Sequence, residues 1–177
     1  MPFTDIKSPG GTRAKHNFMT PRLKIINGKI ITPEGILENG CLLVEDHIIT
    51  DIQSGDIPAT GAKIIDAKGQ YVSPGFIDIH THGAGGHDFM DGTVDAFLGA
   101  AETHARFGTT SMVPTTLAGK MDELKHTLSV YRQATKQNHN GSEMLGLHLE
   151  GPYFSMNQRG AQDPRYIHNP IPEEYKP

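Results

Sequence analysis

The sequence predicts an α/β chain: a small all-β module, then a β-α-β-α-β run forming a parallel sheet. Three observations carry that reading. Residues 23–73 are short apolar strands broken by Asn-Gly, Pro and Gly, the signature of hairpin-connected β structure. From Phe76 onward, strand-like runs alternate with segments of helical period, which signals βαβ units. Two of the strand-like runs end in histidine or carboxylate side chains followed by glycine, at His80-Thr81-His82-Gly83 and at His148-Leu149-Glu150-Gly151.

In chain order, residues 1–20 carry Lys7, Arg13 and Lys15 without an apolar stretch. They are expected to form a mobile tail, not a cleaved signal peptide. Residues 21–73 make the small all-β module, with strands over 23–26, 29–32, 41–44, 47–52 and 63–66. Asn27-Gly28, Pro33-Glu34-Gly35 and Asn39-Gly40 are the expected turns, and 55–61 is a Gly/Pro loop. Ser73-Pro74-Gly75 marks the boundary with the second region, residues 74–177.

In that region, 76–82 reads as the first strand. Thr93 can cap a helix in which Val94, Phe97, Leu98, Ala101 and Ala105 share one face, and Gly108 stops it. Residues 110–116 read as the second strand. Met121, Leu124, Leu128 and Tyr131 then repeat at helical spacing, with 138–141 as the stop. The run 144–149 has four apolar side chains in six residues, as expected of a strand covered on both faces in a parallel sheet. After Glu150 no clear periodic segment follows.

Composition narrows the function classes. A net charge of −4, a pI near 6.2 and no Lys/Arg cluster argue against nucleic acid or an anionic membrane as the main partner. A small-molecule partner is expected. Cys41 is the single cysteine, so no intrachain disulfide forms and a reducing, cytoplasmic setting is expected. No apolar run approaches the ~20 residues that span a bilayer.

His80 and His82 are two residues apart, so in an extended strand both imidazoles leave the same face and can converge on one ion. Glu150, at the end of a neighbouring strand, can supply an oxygen. Imidazole and carboxylate together suit Zn, Fe, Mn or Co as divalent ions. The competing reading leaves a lone His-x-His as ordinary strand-end histidines. The Gly-rich exit at Gly83, Gly85 and Gly86, together with a glutamate at the end of another parallel strand, favours a built site. His87 lies in the next loop and can approach a substrate. His16, His47, His104, His126, His139 and His168 sit in tails, helices or the β module and are read as solvated.

The stretch Pro74-Gly75-Phe76-Ile77-Asp78-Ile79-His80-Thr81-His82-Gly83 resembles the first-strand motif of the amidohydrolase superfamily. His148-Leu149-Glu150-Gly151-Pro152-Tyr153-Phe154, with Arg159-Gly160-Ala161-Gln162-Asp163-Pro164 beyond it, is similar to the N-acetylglucosamine-6-phosphate deacetylase family within it. That resemblance runs from Leu23 to the end. It implies a (β/α)₈ TIM-like barrel, with a β-sandwich built from both ends of a longer chain. It also implies metal-dependent release of acetate from N-acetylglucosamine 6-phosphate in amino-sugar catabolism, using one or two divalent ions.

Under the resemblance, Glu150 binds the catalytic metal together with histidines from the fifth and sixth strands, while His80 and His82 hold a second ion. Ala161 and Gln162 take the place of the family's sugar-contacting Ala-His pair. Glutamine there still donates and accepts hydrogen bonds but cannot become cationic. Arg159 and Arg165 flank that loop, and phosphate recognition in the family draws partly on a second subunit, so a homodimer is implied. The family's acid/base aspartate is expected beyond Pro177, so no catalytic acid/base is assigned within these residues. A (β/α)₈ barrel needs roughly 250 residues and eight strands, whereas 74–177 have room for three, so an incomplete, inactive front portion is expected. The alternatives are another amidohydrolase, dihydroorotase-like or deaminase-like, and a non-catalytic metal- or sugar-binding fragment. Many such relatives use a carboxylated lysine on the fourth strand, so a glutamate on the third argues against them. An open three-stranded edge argues against the free-standing module.

Overall fold

The computed structural model describes residues 22–176. The tail expected over residues 1–20, with His16, lies outside them. The chain divides into two compact units, residues 1–74 and 75–177.

In the first unit, β1 (Arg22–Thr32) and β2 (Gly35–Glu45) form an antiparallel pair that turns at Pro33-Glu34. Asn27-Gly28 and Asn39-Gly40 were expected as hairpin turns, and the structure corrects this. Both dipeptides lie inside continuous strands, with Gly28 opposite Gly40 and the register shifting on either side of Gly28. The asparagines do take positive φ, 55° and 51°, yet they make irregularities in the ladder instead of reversals. The glycines serve close approach: a Cβ on Gly40 would lie 2.6 Å from Ile30 Cδ1, and one on Gly28 2.8 Å from Val72 Cγ2.

The next reversal is at Asp46-His47, both at positive φ, joining Glu45 to Ile48 of β3 (Ile48–Ser54). His47 is therefore a turn residue, not the start of a strand. The strands β4 (Lys63–Asp66) and β5 (Tyr71–Val72) pair parallel with β1. Residues 22–72 thus supply one five-stranded sheet, a single layer of the two that a sandwich stacks. Cys41, Leu43 and Ile57 form its core. Lys24 is buried and paired with Asp56.

The second unit begins with β6 (Phe76–Thr81), followed by a two-residue hairpin of β7 (Gly83–Ala84) and β8 (His87–Asp88). Helix α1 (Val94–Arg106) is capped by Thr93, whose hydroxyl accepts from Ala96 N–H at 3.2 Å, and Gly108 ends it at φ 92°. Then come β9 (Thr109–Pro114), α2 (Met121–Gln137) and β10 (Glu143–Met144). The three strands form a parallel sheet in the order β10-β9-β6, which is the expected β-α-β-α-β order. Phe89, Phe97, Ala100, Ala101, Met112, Val130, Ala134 and Met144 make one core between sheet and helices. The buried stripe of α2 is Leu124, Thr127, Val130 and Ala134, rotated from the expected Met121, Leu124, Leu128 and Tyr131. A short helix α3 (Pro172–Tyr175) closes the described chain.

The strand expected over 144–150 is also corrected. Its ladder covers two residues and resumes only as a bridge between Thr115 and His148. Leu145 N–H bonds to Met112 O and His148 N–H to Pro114 O, so three steps on this strand match two on β9 and the extra residue falls at Gly146-Leu147. Nor is the run covered on both faces: Leu145 is 54% exposed and Leu149 49%.

Candidate metal centre

The centre is assembled at the carboxyl ends of three parallel strands. On β6 the register against β9 slips by one residue between Asp78 and Thr81. There the Asp78 carboxylate accepts the His80 N–H at 3.1 Å. A bulge of this kind re-aims the side chains that follow it. His80 and His82 then both face Glu150. Glu150 Oε2 lies 3.0 Å from His80 Nε2 and 3.2 Å from His82 Nε2, and one ligand atom from each of the three residues lies within 4.8 Å of the others.

The buried pair Thr115-Thr116, at the end of β9, ties the flanking strands together. Thr115 N–H donates to Thr81 O, and Thr115 O receives the His82 Nδ1 hydrogen bond at 3.2 Å. Thr116 N–H donates to His148 O, and its hydroxyl accepts Glu150 N–H at 3.2 Å. The His148 ring stands edge-on to the His80 ring, with centroids 4.9 Å apart.

These residues fit a divalent cation. A histidine that donates from Nδ1 to a carbonyl presents the lone pair of Nε2, and at His82 that lone pair faces a carboxylate oxygen. A cation there satisfies both. Ligand atoms about 2.0–2.1 Å from a tetrahedral zinc stand roughly 3.3 Å apart, close to the 3.0 and 3.2 Å seen here. The three side chains are partly open to solvent, as a site that receives substrate requires.

The other nominated residues lie in the loop that follows Glu150. Gln162 is buried, and its Oε1 accepts the Ala118 N–H at 2.8 Å. It clamps the loop after Glu150 onto the loop after β9, so half of its side-chain amide is already committed. Gln162→Ala is therefore expected to leave a buried N–H unpaired and to cost about 1–3 kcal/mol of stability, read as a lower melting temperature. Gln162→Glu keeps an acceptor and should retain most of it. Equal melting temperatures for Gln162→Ala and the parent would contradict the clamp. Ala161 is exposed on the same loop.

Neither flanking arginine is uncommitted. Arg159 donates to Gln162 O at 2.7 Å, and Arg165 grips the Asp163 carboxylate, holding it below the usual carboxylate range. That contact contributes above the ordinary aspartate range and is lost as pH falls through the lowered value.

The other histidines take local roles. The His87 ring lies where a Cβ on Gly99 of α1 would sit. His104 meets the Thr81 hydroxyl, His126 the Gly92 carbonyl and His168 the Asn169 carbonyl. The groups that sequence reasoning missed are Asp78, Thr115, Thr116 and His148. For Asp78 the available signal was its place two residues before His80. For Thr115 and Thr116 it was a pair of hydroxyl residues at a predicted strand end.

The model of the amidohydrolase family matches residues 71–176. An N-acetylglucosamine-6-phosphate deacetylase of Haemophilus influenzae is 33% identical over 150 residues, covering 84% of this chain and 39% of that protein. An N-acetylgalactosamine-6-phosphate deacetylase of Escherichia coli O157:H7 is 32% identical over 136 residues, covering 77% and 35%. The crystal structure of N-acetylglucosamine-6-phosphate deacetylase from Pasteurella multocida superposes with a TM-score of 0.78 at 31% identity, over 86% of this chain and 40% of that one. The chain thus spans about two-fifths of the length of these relatives.

Proposed function

This chain belongs to the amidohydrolase family, and on that premise we propose that it serves metal-dependent deacetylation of a phosphorylated amino sugar, N-acetylglucosamine 6-phosphate first. The convergence of His80, His82 and Glu150 on one point supports this reading, as do the activities named for its relatives. A divalent ion held there would supply Lewis acidity and lower the pKa of a water molecule. His80 and His82 would hold it through Nε2, and Thr115 O fixes the His82 tautomer for that role. Glu150 would hold it through its carboxylate, whose Oε2 stands on the side of both imidazoles.

In the overall reaction, water adds to the acetamide carbonyl, the C–N bond breaks, and the leaving amine takes a proton. Acetate and glucosamine 6-phosphate result. A positioned acid/base is needed for that proton, and the resemblance gives that role to an aspartate on a later strand of the family's barrel. The third-strand glutamate disfavours the dihydroorotase-like and deaminase-like alternatives.

The test is acetate release by the intact protein from N-acetylglucosamine 6-phosphate, its unphosphorylated parent and N-acetylgalactosamine 6-phosphate. The first is expected to have the highest kcat/KM. Equal turnover of the unphosphorylated sugar would remove phosphate recognition from the reading. A preference for the galactosamine substrate would move the assignment to the activity of the Escherichia coli relative.

A further inference from the structure

Resting on the reading of Glu150 as a metal ligand, the geometry points to Thr116 as the positioning residue that sets where Glu150 stands. The third strand bonds to β9 in steps, Leu145 N–H to Met112 O at 3.0 Å and His148 N–H to Pro114 O at 2.9 Å. A continued ladder would bring Glu150 N–H to the carbonyl of Thr116. It bonds instead to the Thr116 hydroxyl at 3.2 Å, while Thr116 N–H returns a bond to His148 O at 3.0 Å.

The hydroxyl thus replaces one rung of the ladder at the residue where the strand leaves the sheet. Thr116 is fully buried, so water offers the amide no easy substitute there. Without that acceptor, the end of the strand has to shift to satisfy Glu150 N–H. The carboxylate shifts with it, away from two imidazoles placed separately, His80 by its backbone N–H on Asp78 and His82 by its ring Nδ1 on Thr115 O. Threonine combines the acceptor with a methyl group that fills the space beside it. Valine keeps the shape and lacks the acceptor, and serine keeps the acceptor and lacks the methyl.

Both variants are to be made in the intact protein, with two readouts. In the metal-free protein, Thr116→Val should speed hydrogen exchange at the Glu150 amide by about tenfold or more, with Thr116→Ser near the parent. Under Co²⁺ titration against a competing chelator, Thr116→Val should weaken the Kd by roughly 10–100-fold and Thr116→Ser by no more than about threefold. Should Thr116→Val not fold, Thr116→Cys, with its weak sulfur acceptor, is read in the same way.

Parental exchange and parental Kd in Thr116→Val would overturn the assignment. So would equal losses in the valine and serine variants, since packing of the methyl would then be responsible. A change in exchange in a protein whose Co²⁺ binding is insensitive to Glu150→Gln would uphold the link to Thr116 while removing the metal role of Glu150.

Discussion

Glu150→Gln is expected to strip the intact protein of most of its divalent metal and to lower kcat/KM for N-acetylglucosamine 6-phosphate by about 10³ or more. The reason is charge. Glutamine has the same shape, and its oxygen can still accept a hydrogen bond, but it cannot balance a divalent ion beside two neutral imidazoles. A metal ion contributes several kcal/mol of transition-state stabilisation, and about 4 kcal/mol corresponds to the factor of 10³. The fold should persist, because the Glu150 backbone bond to Thr116 does not involve the carboxylate. An unchanged melting temperature beside lost metal, read by elemental analysis, would therefore separate a ligand from a structural residue. Parental metal content and activity in this variant would refute the site.

Most of the α/β region was legible because its signals are local. Thr93 caps α1 and Gly108 ends it as the sequence indicates, since capping needs only a few neighbouring residues. The two-residue spacing of His80 and His82, with a carboxylate at a nearby strand end, nominated the three side chains that lie together in the fold. The strand pattern misled where the partner decides the outcome. Asn27-Gly28 and Asn39-Gly40 have the chemistry of hairpin turns, but each faces the other strand's glycine across a continuous ladder.

The supports of the centre were hidden for a related reason. Thr116 and Glu150 meet only because the strand slips at Gly146-Leu147, and Gln162 finds Ala118 across 44 positions of chain. Residue type and spacing in one strand carry no information about such register shifts.

A polypeptide of residues 1–177 produced by itself is expected to release no acetate from N-acetylglucosamine 6-phosphate above a no-protein control. Among the described residues, His80, His82 and Glu150 form the candidate metal group, and the mechanism needs more than a metal. Expulsion of the amine requires a positioned proton donor, and general acid–base catalysis contributes typically ~10²–10⁴ in rate. Among the described residues, no carboxylate besides Glu150 itself is grouped with the two histidines. The His148 ring stands against His80, and the Asp78 carboxylate is engaged by the His80 amide. The same polypeptide also exposes Phe76, Ile77 and Ile79, at 67%, 64% and 71%, a strand surface that invites association with other chains. Poor solubility should therefore accompany inactivity, with light scattering as its measure. The decisive control is the same polypeptide carrying Glu150→Gln. Acetate release by the first that disappears in the second would place a complete acid–base apparatus within these 177 residues, and the aspartate assigned to a later strand would then be unnecessary.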